Sequence, residues 1–129
     1  MLQTIKTDDA PAAIGPYSQA VHSDPFMFIS GQLPINPETQ QMVEGGIEKQ
    51  TEQVMKNVEA ILKTNGLGLG NVVKTTIFLS SMDHFTSFNE AYGRFFGTYY
   101  PARSAVEVSR LPKDSLIEVE VIALQSNKP

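Results

Sequence analysis

The sequence contains no cysteine. That excludes disulfides, thiolate nucleophiles and cysteine-held metals, and it is compatible with a reducing compartment. Long apolar runs are also missing. The longest hold four residues, Phe26 to Ile29 and Val121 to Leu124, far short of the ~20 that a membrane-spanning helix needs. The N-terminus lacks an apolar segment flanked by basic residues. The expectation is therefore a soluble, cytoplasmic protein without a membrane partner. Charge of one sign never gathers: 14 Asp and Glu face 10 Lys and Arg, for a net charge of −4. Without a basic patch interleaved with aromatics, nucleic acid is not an expected partner. An anionic ligand would need a local cation, since the average field repels it.

Several catalytic and binding devices are absent too. His22 and His84 have no carboxylate or second histidine at ligand spacing, so no metal is expected. No serine sits in a nucleophile elbow. Gly66-Leu67-Gly68-Leu69-Gly70 looks like a phosphate loop but precedes a strand, so it reads as a helix stop followed by a turn. There is no internal repeat, low-complexity tract or linker.

What remains fits one domain, residues 1–129, with 41% apolar residues, enough for an ordinary core. The first segment mixes a short strand with the breakers Pro11, Gly15 and Pro16. AVHSDPFMFIS reads as a hairpin turning at Ser23-Asp24-Pro25, with Phe26–Ser30 a short buried strand. GQLPINPETQ follows as a loop. Ile47, Val54, Val58, Ile61 and Leu62 recur at helical spacing and predict a helix over 48–65, stopped at Asn65-Gly66. VVKTTIFLS, 72–80, is β-branched and apolar and predicts a strand. Phe85, Phe88, Tyr92, Phe95 and Phe96 form the stripe of a second helix that begins near Met82 or Asp83 and faces a core. Strands over 103–109 and 115–125, joined as a hairpin through RLPKD, complete the chain. The order predicts an α+β fold, with two helices on one face of a mixed sheet.

The last strand has two unlike faces. Ile117, Val119, Val121 and Ala123 alternate with Leu116, Glu118, Glu120, Ile122 and Leu124. The second set is too apolar for free solvent, and a second copy of the chain is the economical cover. Glu118 and Glu120 share that face roughly 6.7 Å apart. They are either a solvated pair or a partly desolvated acid suited to proton transfer, and spacing alone does not choose between the two carboxylates. Arg103, one of three arginines, is either an ion-pair partner for one of these acids or a guanidinium fork for a carboxylate or phosphate ligand.

Three stretches, AAIGPYSQAV (12–21), FISGQLPINP (28–37) and PARSAVEVSRLPKDSLIEVEVIAL (101–124), resemble the RidA family, also called YjgF/YER057c/UK114, in both order and spacing. The similarity covers essentially the whole chain. It implies a chorismate-mutase-like fold and a homotrimer with sheets facing inward and ligand clefts between subunits. It also implies a 2-iminobutanoate/2-iminopropanoate deaminase. Such an enzyme hydrolyses reactive enamine and imine acids to 2-oxo acids and ammonia, clearing damaging metabolites with neither cofactor nor metal.

Carried over by position, the resemblance gives Arg103 to the substrate carboxylate and Glu118 to the water near the imine carbon. Tyr17, Ser30, Gly31 and Asn89 would line the ligand cleft, and Glu120 would be structural. Many members read PARSCVEV where this chain has Ala105, at a position expected to line or border the cleft. Members have also been linked to regulatory or chaperone-like binding and to endoribonuclease or translation-inhibitor activity. Those are the competing expectations.

Overall fold

The computed structural model describes residues 2–125, so Met1 and residues 126–129 of the expected domain lie outside the described residues. Eight strands are present among the described residues: β1 (Leu2–Ile5), β2 (Ala20–Ser23), β3 (Phe26–Gln32), β4 (Ile35–Asn36), β5 (Gln41–Met42), β6 (Val72–Leu79), β7 (Ala102–Glu107) and β8 (Ile117–Leu124). Helix α1 spans Gly46–Lys63 and α2 spans Phe85–Gly93. Six strands form one sheet in the order β1-β2-β3-β8-β6-β7. Every neighbouring pair is antiparallel except β6 and β7. That parallel pair needs a crossover, and α2 supplies it.

Both helices cover the same face. Val54, Met55, Val58, Ile61 and Leu62 of α1 and Phe88 and Tyr92 of α2 share one buried cluster with Ile77, Ile117, Val119, Val121 and Ala123 of the sheet. The expected α+β architecture is present, and the alternation predicted for β8 holds. The other sheet face is open. Phe26, Phe28, Val106 and Leu124 are exposed there.

Five expectations need correction. α2 begins only at Phe85, after a short 3-10 turn at Met82–His84, and ends at Gly93, so Phe95 and Phe96 of the expected stripe lie beyond it. β7 and β8 are not a hairpin, because β6 lies between them. The link after β7 therefore passes over the sheet end, and Arg103 does not neighbour the strand of Glu118 and Glu120. GQLPINPETQ is not all loop: Gly31 and Gln32 extend β3, and β4 pairs with β5 in a small hairpin. β3 is buried only at alternate positions, since Phe26 and Phe28 face the open side. Finally, α1 begins at Gly46, two residues before the expected start. Gly66, with φ of 72°, follows its end as the left-handed residue that position favours.

Candidate functional site

Glu118 stands on the open face of β8, opposite Phe78 of β6. On its other side β3 slips register between Ile29 and Gln32, which places Ser30 and Gly31 in the irregular stretch. A Cβ built on Gly31 would overlap the Glu118 carboxylate and lie 2.8 Å from its Cδ. Glycine is thus required by the close approach of a side chain, and the carboxylate rests against bare backbone. Ser30 Oγ donates to the Ser18 carbonyl at 2.7 Å, and the Ser30 amide donates to Gln19 O at 3.0 Å. These bonds hold the Tyr17 segment alongside β3.

Gln19 extends the same frame. Its buried amide accepts from the Thr7 N–H at 2.7 Å and donates to the carbonyls of Thr7 and Pro11 at 3.0 and 2.7 Å. The N-terminal arm is thereby folded into a wall. The resulting cleft of about 670 Å³ is lined by Tyr17, Ser30, Gly31, Lys113, Glu118 and Glu120, with Ile14 and Ile35 among its apolar surfaces. Burial raises the Glu118 pKa, and the like charge of Glu120 raises it further. No cation pairs with Glu118 among the described residues.

Arg103 lies elsewhere. It pairs with Thr75 of β6, whose register partner on β8 is buried Val121, so its side chain belongs to the helix face. Its Cζ sits 5.6, 5.3 and 5.2 Å from the ring centroids of Phe85, Phe88 and Tyr92. Its Nη1 donates to Asn89 Oδ1 at 2.8 Å. The rings occupy the i, i+3 and i+7 positions of α2 and Asn89 the i+4 position, so one helix face forms the whole cradle. The Tyr92 hydroxyl is bonded to the Thr75 hydroxyl at 2.9 Å. Burial raises the Tyr92 pKa, against the opposing effects of Thr75 and Arg103.

No carboxylate pairs with Arg103 among the described residues, so its reading as an ion-pair partner of Glu118 or Glu120 fails. The other two arginines do pair on the surface, Arg94 with Glu48 at 2.7 Å and Arg110 with Asp114 at 3.5 Å. With Nη1 bonded to Asn89, the remaining guanidinium donors stay available for a ligand.

The six predicted site residues thus fall into two groups within one chain. Tyr17, Ser30, Gly31 and Glu118 line the open-face cleft. Asn89 and Arg103 line a separate groove of about 330 Å³ with Tyr92, Gly93, Tyr100 and Pro101. Ala105 packs against the core on the Arg103 side of the sheet and is not among the residues lining the Glu118 cleft. Sequence reasoning missed Gln19, whose partners lie up to twelve residues away in an irregular arm and leave no periodic signal. It assigned the α2 aromatics to the core alone, although their spacing with Asn89 already placed them on one face. Among the described residues, no three His, Asp or Glu side chains gather where they could hold a metal.

The model of a family described as Endoribonuclease L-PSP matches residues 7–125. A RutC family protein of Pyrococcus horikoshii is 52% identical over 95% of this chain and 98% of its own. A human protein named 2-iminobutanoate/2-iminopropanoate deaminase is 46% identical over 95% of this chain and 90% of its own. Among solved structures, a protein of unknown function of the Rid family from Yersinia pestis is 50% identical. It superposes with a TM-score of 0.93, covering 96% of this chain and 99% of that one.

Proposed function

The chain belongs to the Endoribonuclease L-PSP family, which takes in the RutC and Rid proteins, and on that premise we propose that it hydrolyses small 2-imino acids to 2-oxo acids and ammonia. The observation that carries this reading is the half-buried Glu118 carboxylate, without a cation partner among the described residues and packed against Gly31 in an open cleft. A carboxylate with a raised pKa exchanges protons more readily near neutrality. Arg103, with donors to spare, suits the substrate carboxylate.

One chain keeps these two groups on opposite sheet faces. The proposal therefore includes a second copy: the exposed Phe26, Phe28, Val106 and Leu124 would be covered by neighbouring chains in a trimer. Arg103 at the edge strand β7 of one copy would meet the Glu118 cleft of the next.

The chemistry asks little of such a site. A protonated imine is already electrophilic at C2. Water attacks C2 while Glu118 takes a water proton, and a carbinolamine forms. Glu118 returns that proton to nitrogen, the C–N bond breaks, and the hydroxyl collapses to the 2-oxo group. Its proton leaves with ammonia as ammonium. Arg103 holds the carboxylate throughout, and neither a redox step nor a Lewis acid is called for.

The test is a coupled assay. A threonine dehydratase generates 2-iminobutanoate, and 2-oxobutanoate release is followed with and without the protein. Faster release with protein is expected. Release at the solvent rate by folded wild type would sink the reading and favour a non-catalytic binding or regulatory role. The family's ribonuclease description is less well matched by this cleft, because Glu118 and Glu120 would repel a phosphate backbone.

A further inference from the structure

The link from β7 to β8 reaches the Glu118 cleft, where Pro112 and Lys113 form part of the lining. Lys113 and Asp114 both have φ of 56°. This is left-handed backbone, unfavourable for residues that carry a Cβ and natural for glycine. Two such residues in succession are a local strain that surrounding structure must impose. The frame is visible. Leu111 is buried, the Asp114 amide donates to Leu111 O at 3.1 Å, and the Ser115 amide donates to Pro112 O at 3.1 Å. The Leu116 amide donates to Gln50 Oε1 at 2.8 Å, which ties the loop to α1.

The charges of this loop are not equivalent. Arg110 and Asp114 pair with each other at 3.5 Å. Lys113 has no carboxylate partner among the described residues. The charged residues lining the cleft are Glu118, Glu120 and Lys113. A 2-imino acid or 2-oxo acid entering it brings another negative charge toward two acids, on a chain of net charge −4. Arg103 of the same chain lies across the sheet. Lys113 is thus the one cation that this chain sets on the cleft wall, among the described residues.

We propose that Lys113 is a positioning residue for anionic substrates, held on the cleft wall by the left-handed turn at 113–114, where it offsets the repulsion of Glu118 and Glu120 and draws the substrate carboxylate inward. The inference rests on the imine-hydrolysis reading of the cleft. It acts on capture and so on KM, and leaves the bond-breaking steps, and kcat, to other groups.

The test separates binding from turnover. Wild type, Lys113→Gly, Lys113→Glu and Lys113→Arg are titrated with 2-oxobutanoate, following the backbone amide signals of Gly31 and Glu118. Glycine suits the observed φ, so Lys113→Gly is expected to keep the loop and the melting temperature. The expected result is a dissociation constant about threefold higher for Lys113→Gly and on the order of tenfold higher for Lys113→Glu. Lys113→Arg should remain near wild type, and the differences should shrink with added salt. In the coupled assay KM should follow the same order while kcat stays constant. Binding within twofold of wild type for both Lys113→Gly and Lys113→Glu overturns the inference, as does wild type that gives no shift at Gly31 and Glu118. Lys113-dependent binding without imine turnover supports the role of Lys113 and removes the deaminase reading. Turnover with KM unchanged in Lys113→Glu does the reverse.

Discussion

The two faces of the sheet hold their candidate site residues by opposite means. On the helix face, Arg103 is exposed but has neighbours on one side: three ring centroids lie 5.2, 5.3 and 5.6 Å from its guanidinium carbon and Asn89 accepts one of its bonds. On the open face, Glu118 is held by a vacancy, the Cβ that Gly31 lacks, and pairs with no cation among the described residues. The cation is oriented and keeps donors to spare. The anion is left under-compensated, and its pKa rises. An enzyme binding a carboxylate and moving a proton needs this asymmetry, a fixed fork for the first task and an adjustable acid for the second. Strand alternation then separates the two within a chain, and the proposed trimer would reunite them.

The separation is open to a direct break. Arg103→Ala and Glu118→Gln are each expected to lower kcat/KM for 2-iminobutanoate by about a hundredfold or more. Co-refolding the two variants in equal amounts should restore about one quarter of wild-type activity, because a cyclic trimer with Arg103 and Glu118 from adjacent copies regains that share of intact sites. If both groups served the same site from one chain, the mixture would stay inactive, and steady-state rates of the mixture decide between these arrangements.

Gly31→Ala attacks the vacancy itself. The new methyl group would occupy the position of the Glu118 carboxylate, so either Glu118 turns away or β3 shifts. Overpacking of this kind costs about 1–3 kcal/mol. Activity should fall nearly as far as in Glu118→Gln. Combining Gly31→Ala with Glu118→Ala should recover most of the thermal stability, since the shorter side chain removes the overlap. Melting curves of the single and double variants check this, and two additive losses would show that the overlap is not the cause.

How far these two regions were legible in the sequence differs for the same physical reason. The buried face of β8 and both helix stripes are periodic, and periodicity is local, so Val119, Val121, Val58 and Phe88 were identifiable as core. The pairing of β7 is not local. Its partner is the strand before α2, chosen by the crossover, and nothing in RLPKD distinguishes a hairpin turn from a passage over the sheet end. The Arg103 cradle follows in part from α2 spacing. The Glu118 cleft depends on a register slip in β3, on Gln19 bonds to an irregular arm and on one missing Cβ. Of these, the sequence points only to the SGQ stretch, and it does so by resemblance and not by pattern.

Asn89 sharpens the helix-face half. It was expected among the substrate-binding residues, yet its carbonyl oxygen is engaged by Arg103 at 2.8 Å. The geometry fits a residue that orients the fork. Asn89→Ala should therefore raise KM about tenfold, corresponding to one hydrogen bond to a charged group, with a smaller effect on kcat. Asn89→Asp restores an acceptor but adds a competing charge, so it should retain the guanidinium geometry and still bind carboxylates poorly. Product titrations of the two variants separate orientation from direct contact.

The smallest effect belongs to Glu120, and it probes why the open-face half is poised. Burial is the larger cause of the raised Glu118 pKa and Glu120 the lesser. Glu120→Gln should thus move the acid limb of the kcat/KM profile to lower pH without abolishing it, since burial remains. The same linkage bears on stability. A carboxyl whose folded pKa is raised binds its proton more tightly in the folded chain than in the unfolded one. Its stabilising contribution is complete below the unfolded pKa and is lost as pH rises through the folded value. Removing the Glu120 charge lowers that folded value and reduces the loss, so Glu120→Gln should melt higher than wild type at neutral pH. The difference should disappear in acid, where Glu118 carries its proton in both proteins. An acid limb that does not move in Glu120→Gln would mean that burial alone sets Glu118, and that the second carboxylate of the pair serves the proposed subunit contact.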